Sequence, residues 1–411
     1  MIPPPSLQTA LAGKRLDLRG RRVVVRVDFN VPMAGSRVLD ATRLREAVPT
    51  IRALSGAGAR VVLLSHRGRP GGAVDPELSL RPVAHALTEV LDRPVAFAED
   101  CVGPPAQNAA AALGDGETCL CENLRFHAGE ERNDPTFGAE LAALGEVYVN
   151  DAFGTAHRAH ASTAAVCAHV KQAFSGLLLD RELRQLGRLL DEPPRPFVLI
   201  VGGAKIRGKI DAVLHLLPLV DRVLVGGGMA NTFLAARGYG LGSSLVEREG
   251  LDLAQEIESQ TAARGSELLL PADLVVTDSL DAPPDRRQHR TVPADGGVPA
   301  GWLAVDIGPA TRDAFARAAA DASTLFWNGP MGVFETAPFD AGSRAVARAV
   351  AASPGFAAVG GGETVAAVKQ EGLSDRIDHV STGGGASLAL LSGEELPAVA
   401  ALRRTGSGRQ Q

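Results

Sequence analysis

The stretch 176–196, GLLLDRELRQLGRLLDEPPRP, sorts the rest of the chain to one side or the other. Leu179, Leu183, Leu186 and Leu190 recur at spacings of four, three and four, which puts them on one face of a helix. Asp180 reads as its N-cap. Arg181, Glu182, Arg184 and Arg188 are expected to face water or another domain. Pro193, Pro194 and Pro196 end the helix, because proline has no amide hydrogen to give and clashes with the preceding turn. A capped helix ending in prolines near mid-chain suits a semi-rigid connector. With 411 residues the chain is too long for one ordinary core. Two domains are therefore expected, with residues 1–176 before the hinge, 177–196 as hinge helix and linker, and a second domain from 197.

Composition narrows the function classes. Apolar residues make up 45%, enough to bury two cores, and the net charge of −5 is too mild to argue for a nucleic-acid or membrane partner. The four cysteines, Cys101, Cys119, Cys121 and Cys167, form no CxxC pair and no metal-ligand spacing. They read as buried thiols of a cytoplasmic protein. The opening residues hold no apolar run of signal-peptide type, and no stretch approaches the ~20 apolar residues that span a bilayer. The tail TGSGRQQ is expected to fray.

Before the hinge, short apolar runs end in polar clusters. RVVVRV (22–27) leads to Asp28, Phe29 and Asn30; ARVVLL (59–64) leads to Ser65, His66, Arg67, Gly68 and Arg69. Residues 118–121 lead to Arg125, and 146–149 to Arg158. Helical patterns at 41–53 and 80–91 lie between. Near-continuous apolar strands alternating with helices predict a parallel sheet covered on both faces, with ligands beyond the carboxyl ends of the strands. Arg43, His66, Arg69, Arg125 and Arg158 fall at that edge. Arginines converging there offer forked donors to phosphate and carboxylate oxygens, while Asp28 and Asn30 suit a hydroxyl. The first half is thus read as a site for a small phosphorylated acid.

After the hinge the strand exits turn to glycine. The runs at 197–201, 222–225, 305, 325–327, 356–359 and 379–380 lead into Gly202-Gly203, Gly226-Gly227-Gly228, Gly308, Gly329, Gly360-Gly361-Gly362 and Gly383-Gly384-Gly385. Glycines let backbone amides approach a ligand, and a following helix N-terminus favours phosphate. Several such loops on one sheet edge argue for a nucleotide. Gly203 to Lys209 nearly spells the P-loop GxxxxGK[ST], but Ile210 has no hydroxyl for magnesium. Lys205 and Lys209 are instead expected on one face of a helix beginning there.

A small anionic acid on one lobe and a nucleotide on the other suit phosphoryl transfer with domain closure. The chain in fact resembles the phosphoglycerate kinases over nearly its whole length. The resemblance rests on RVDFNVP (26–32), DATRLREAVPTI (40–51), SHRGRP (65–70), ENLRFH (122–127), VNDAFGTAHRAHAST (149–163), VGGAKIRGKI (201–210), VGGGMANTFLAARG (225–238), DIGPAT (306–311), WNGPMGVFE (327–335), GGGET (360–364) and HVSTGGGASL (379–388). It implies two doubly wound α/β domains of Rossmann-like parallel sheet joined by a hinge helix, and a monomer. The implied reaction moves a phosphoryl group between 1,3-bisphosphoglycerate and ADP, with magnesium, giving 3-phosphoglycerate and ATP.

Carried over by position, the resemblance makes Asp28, Phe29, Asn30, Arg43, His66, Arg67, Gly68, Arg69, Arg125 and Arg158 the phosphoglycerate site. Arg43 and Lys205, with Gly384 and Gly385, face the transferring group. Lys205, Lys209, Gly227, Asn328, Glu335, Gly361, Gly362, Glu363 and Thr364 take the nucleotide, and Glu363 the metal. The second domain then spans 197–390, and 391–411 folds back on the first. Four positions depart from the family pattern. Glu363 stands where aspartate is usual, Arg207-Gly208 where a small polar residue and an acid are, Arg67 where leucine is, and Ala389 where glutamate is. A catalytically degenerate paralogue that binds phosphorylated metabolites without turnover is the alternative reading.

Overall fold

The computed structural model describes residues 2–14, 16–283 and 286–407. It divides into two units, Met1–Arg184 with Glu395–Gln411, and Gln185–Glu394.

In the first unit six parallel strands, β1 (Arg22–Arg26), β2 (Arg60–Leu64), β3 (Val95–Ala98), β4 (Thr118–Cys121), β5 (Val147–Asn150) and β6 (Ala173–Ser175), lie in the order β3-β4-β2-β1-β5-β6. Val23, Val24, Val25, Val61, Val62, Leu63 and Leu64 are all fully buried. Burial does not alternate along β1, β2, β4 and β5, because helices such as α1 (Thr42–Gly56), α2 (Arg81–Leu91) and α3 (Gly103–Ala112) cover the sheet. The winding reverses between β1 and β5, which opens a crevice beyond their carboxyl ends.

The helix α4 (Leu177–Gly187) contains the unit boundary, but its local chemistry differs from the sequence reading. Asp180 is not the cap. It lies inside the first turn, where its carboxylate accepts the Ser6 and Ser175 hydroxyls. The cap comes from another strand exit: Asp151 Oδ1 accepts the amides of Leu178 (2.9 Å) and Leu179 (3.2 Å). Glu182 does not face water but is fully buried, because it shares the helical phase of Leu179 and Leu186. The helix ends at Gly187, well before the prolines. Tighter turns follow, with Leu189 N to Leu186 O and Leu190 N to Gly187 O both 3.0 Å, and they bury Leu189 rather than Leu190.

In the second unit β7 (Phe197–Val201), β8 (Arg222–Val225), β9 (Glu267–Leu269), β13 (Thr324–Asn328), β14 (Phe356–Gly360) and β15 (His379–Val380) form a parallel sheet in the order β9-β8-β7-β13-β14-β15. Its winding reverses between β7 and β13. One expected member is missing from it. The strand ending in Ile307, β12 (Leu303–Ile307), pairs antiparallel with β10 (Asp273–Thr277), which pairs with β11 (His289–Pro293) in a separate sheet. β11 reads HRTVP and is largely exposed, so no apolar run announced it. The helices that bear on the site are α5 (Ile210–Leu216), α6 (Gly227–Ala236), α7 (Gly362–Gln370) and α8 (Gly384–Leu391).

The last helix, α9 (Pro397–Ser407), belongs to the first unit, where Ala398 N donates to Ala156 O (3.2 Å) and Thr405 Oγ1 to Cys167 O (3.0 Å). Residues 391–394 stay with the second unit. Of the tail expected to fray, 405–407 continue the helix, and residues 408–411 lie outside the described residues. All four cysteines are buried and unpaired.

Candidate active site

In the first unit the chain leaving β1 carries Asp28 and Asn30, and Arg43 meets both from the first turn of α1. Its Nη1 lies 3.0 Å from Asp28 Oδ2 and donates to Asn30 O at 3.0 Å. Asn30 Oδ1 in turn accepts Gly68 N (3.0 Å), which ties the β1 and β2 exits together. Phe29 contributes no side chain to this surface. It is fully buried in the core, and its amide is bonded to Ser65 Oγ (2.8 Å). Arg67 is also diverted, its Nη1 donating to Glu77 O (2.6 Å) and Ser79 O (3.1 Å).

His66 is buried. Desolvation, followed by the charges of Arg26, Arg125 and Arg43, holds its imidazole well below the usual range, so it is neutral at pH 7. Arg125, on the turn after β4, donates from Nη1 to Gly68 O (2.6 Å), and its Nε lies 3.1 Å from Glu131 Oε1. Its Nη2 is buried and has no hydrogen-bond partner among the described residues. Burial lowers the Arg125 pKa, and the nearby positive charge of Arg158 adds to the effect. Arg158 Nε lies against His157 Nε2 (3.2 Å), while Arg69 is exposed on the β2 exit loop. The fold thus collects His66, Arg43, Arg125 and Arg158 at one crevice. A buried cationic fork with an unspent donor is suited to an anion.

Sequence reasoning missed the support of this crevice. Arg26, the last residue of β1, is fully buried, donates to Ser162 Oγ (2.8 Å) and lies 4.0 Å from Glu130 Oε1. Glu130, also fully buried, accepts Ser162 Oγ (2.6 Å) and Ser162 N (2.9 Å). The signal was present: a charge inside RVVVRV, in a central strand, requires a buried partner.

In the second unit a cavity of about 240 Å³ lies at the switch point, walled by Gly203, Gly227, Pro330 and Leu245, with Asp306, Glu335 and Glu363 on its lining. Gly227 has φ +62°, and a Cβ there would come within 2.8 Å of Gly203 N and Pro330 O, so only glycine permits this wall. The expected helical pairing of Lys205 with Lys209 does not occur. Residues 203–209 form turns, held where Glu247 Oε2 accepts Ile206 N (2.6 Å), and α5 starts only at Ile210. Lys205 is exposed. Lys209 Nζ turns inward to Gly202 O (2.5 Å) and Asn328 O (3.3 Å), and burial lowers its pKa to about 8 against the opposing pull of Glu363.

Asn328 and Thr364 are buried behind the lining; Thr364 Oγ1 accepts Gly329 N (2.6 Å), and Asn328 Nδ2 is unbonded among the described residues. Gly361 (φ +90°) precedes α7, and a Cβ on Gly384 would reach 3.2 Å from its Cα, so the GGGET and STGGG loops run against each other. Gly362 and Gly385 are exposed at the starts of α7 and α8. Sequence reasoning missed Asp306 as a lining residue. Burial raises its carboxyl to about 7, despite hydrogen bonds from Gly342 N (2.7 Å) and Arg312 Nη2 (3.1 Å).

Magnesium is commonly bound by one or two carboxylates together with substrate phosphates and water. Glu363, exposed in the first turn of α7 and on the cavity lining, meets that requirement.

Convergent arginines at the switch point of one parallel sheet, with a glycine-walled cavity, a lysine and an exposed carboxylate at that of another, define a two-domain α/β phosphotransferase. The particular family follows from comparison. The family model for phosphoglycerate kinase matches residues 14–394. The chain is 55% identical to a phosphoglycerate kinase of Moorella thermoacetica over 95% of this chain and 98% of that protein. It is 50% identical to one of Pelotomaculum thermopropionicum over 94% and 97%. The structure of phosphoglycerate kinase from Coxiella burnetii superposes with a TM-score of 0.85 at 41% identity, covering 98% of this chain and 99% of that one. This chain belongs to the phosphoglycerate kinase family.

Proposed function

We propose that the protein catalyses reversible phosphoryl transfer between 1,3-bisphosphoglycerate and ADP, giving 3-phosphoglycerate and ATP, as a magnesium-dependent cytoplasmic monomer of glycolysis. The observation that carries this reading is Arg125, buried at a crevice of gathered basic groups with one donor unspent. Buried unpaired thiols accord with a reducing compartment, and among the described residues no helix is long and apolar enough to cross a membrane.

Under this reading Arg125, Arg158, Arg69 and His66 bind the phosphoglycerate. Neutral His66 offers one donor without adding charge. Asp28 and Asn30 take the hydroxyl, and Arg43 stabilises the charge on the equatorial oxygens of the moving phosphoryl group. That group leaves the acyl oxygen of 1,3-bisphosphoglycerate and bonds to the terminal phosphate oxygen of ADP. Lys205 and the amides of Gly384 and Gly385 also face it. Gly227, Asn328 and Glu335 hold the nucleoside. Lys209, Gly361, Gly362 and Thr364 hold the nucleotide phosphates, and Glu363 holds the magnesium, which neutralises phosphate charge when bound. Because both half-sites act on one phosphoryl group, turnover requires closure about 177–196.

A coupled assay with ATP and 3-phosphoglycerate tests the reading. Turnover dependent on both substrates is expected. Binding of both without turnover would support the degenerate paralogue, which the intact Arg43, Lys205, Lys209 and Glu335 set does not favour.

A further inference from the structure

One constellation in the first unit has no part in phosphoryl transfer. Asp100 and Cys101 follow β3, and His127 follows the turn after the neighbouring strand β4, where Ala98 pairs with Cys121. The register therefore delivers a carboxylate, a thiol and an imidazole to one point from two adjacent strand exits. Their ligand atoms all lie within 4.8 Å of one another. His127 Nε2 is 2.7 Å from Asp100 Oδ1, and the ring is fixed by stacking on Phe137, with centroids 5.1 Å apart. Asp100 is fixed as well, since its Oδ1 accepts the amides of Cys101 (2.6 Å) and Val102 (3.4 Å). Cys101 is fully buried, whereas the Asp100 and His127 side chains are about one-third exposed, which leaves an entry path from solvent.

We infer that Asp100, Cys101 and His127 form a binding site for a borderline divalent transition metal such as zinc. Sulfur, imidazole nitrogen and carboxylate oxygen are the donor set that zinc takes in tetrahedral geometry, at about 2.0–2.3 Å. An ion at those distances sets its ligands roughly 3.5 Å apart, so the widest separation closes by at most about 1.3 Å while the His127–Asp100 pair, now at 2.7 Å, opens. The thiol proton leaves to solvent as sulfur binds. His127 gives up its hydrogen bond to Asp100 and ligates through Nε2, keeping the proton on Nδ1. Water fills the fourth position. Magnesium, a hard oxygen-seeking ion, does not compete for a thiolate site. His127 N also donates to Leu124 O (3.2 Å), so a bound metal pins the turn that carries Arg125.

The test uses tag-free, chelator-stripped full-length protein titrated with Co²⁺ alone. One equivalent should bind with a thiolate-to-cobalt charge-transfer band and intense tetrahedral d–d bands, and Zn²⁺ should displace it. Cys101→Ser should abolish the charge-transfer band. His127→Gln should weaken cobalt binding about 100-fold or more, beyond the 10–100-fold typical of losing a mere supporting group. The partly exposed His127 keeps the test decisive if Cys101→Ser does not fold. No band in the native protein, a band that survives Cys101→Ser, or unchanged affinity in His127→Gln would each overturn the site.

Discussion

Arg26 Nη2 lies 3.1 Å from His66 Nδ1, with both side chains buried, so a fixed cation directly orients the imidazole at the arginine-lined crevice of the first unit. The same guanidinium is the countercharge of buried Glu130, at 4.0 Å. Removing one member of a buried pair leaves the other charge unpaired, at a cost of about 3–5 kcal/mol. Arg26→Met should therefore destabilise the first unit by about that amount in denaturant unfolding, and adding Glu130→Gln should restore part of the loss. A double variant no more stable than Arg26→Met would mean that the pair is not the source of the cost.

Asp151 makes the stability of α4 depend on pH. Burial raises its carboxyl from 3.8 to about 6, although Thr50 and the Leu178 and Leu179 amides pull it back. A folded-state pKa raised above the unfolded value favours the protonated native form. Its contribution is fully present below 3.8 and is lost as the pH rises through about 6. Asp151→Asn keeps an oxygen for the cap but cannot ionise. Its stability relative to the native chain should rise by up to about 3 kcal/mol between pH about 4 and about 7. Denaturation midpoints across that range check this, and a constant difference would show that the carboxyl is not raised.

The strand exits were legible because a strand buried on both faces must be a continuous apolar run, and 23–25, 61–64 and 197–201 are such runs. What stayed hidden depended on contacts distant in sequence. Asp180 has the local position of a cap, yet the cap is Asp151, 27 residues upstream of Leu178. Glu182 reads as surface by type, yet helical phase buries it with Leu186. Lys205 and Lys209 have helical spacing, but Glu247 holds that segment in turns from across the fold. Asp306 was legible as a strand end; its place on the cavity wall depended on β12 leaving the parallel sheet.

Arg43 separates binding from catalysis. Its partners here are Asp28 and Asn30, both in the same crevice, so the side chain is already placed without substrate. If it acts on charge that exists only in the transition state, Arg43→Ala should lower kcat by about 10³-fold, with little change in 3-phosphoglycerate binding. Steady-state kinetics and equilibrium titration distinguish the cases. Near-normal turnover with a raised KM would make Arg43 a binding residue.

Glu363 tests the metal assignment at the position where this chain departs from the family pattern. The side chain is one methylene longer than aspartate, so its carboxylate needs a retracted backbone or a bent rotamer to stand in the same place. Gly361 sits at φ +90°, and a Cβ added to Gly362 would meet nothing within 4 Å, so the loop has room to supply the first. The carboxylate also acts on Lys209, raising a pKa that burial lowers. Glu363→Ala should therefore have two separable effects. It should raise the KM for magnesium nucleotide and cut turnover, because the carboxylate that helps hold the ion is gone. It should also lower the Lys209 pKa further, which moves the alkaline limb of the nucleotide-binding profile to lower pH. Binding of 3-phosphoglycerate, which the proposed function assigns to the other unit, should stay nearly unchanged. Magnesium titrations of the variant at fixed nucleotide, nucleotide binding across a pH series, and isothermal titration of 3-phosphoglycerate measure the three. An unaltered magnesium dependence would remove Glu363 from the metal site and leave Lys205, Lys209 and the starts of α7 and α8 to hold the nucleotide phosphates.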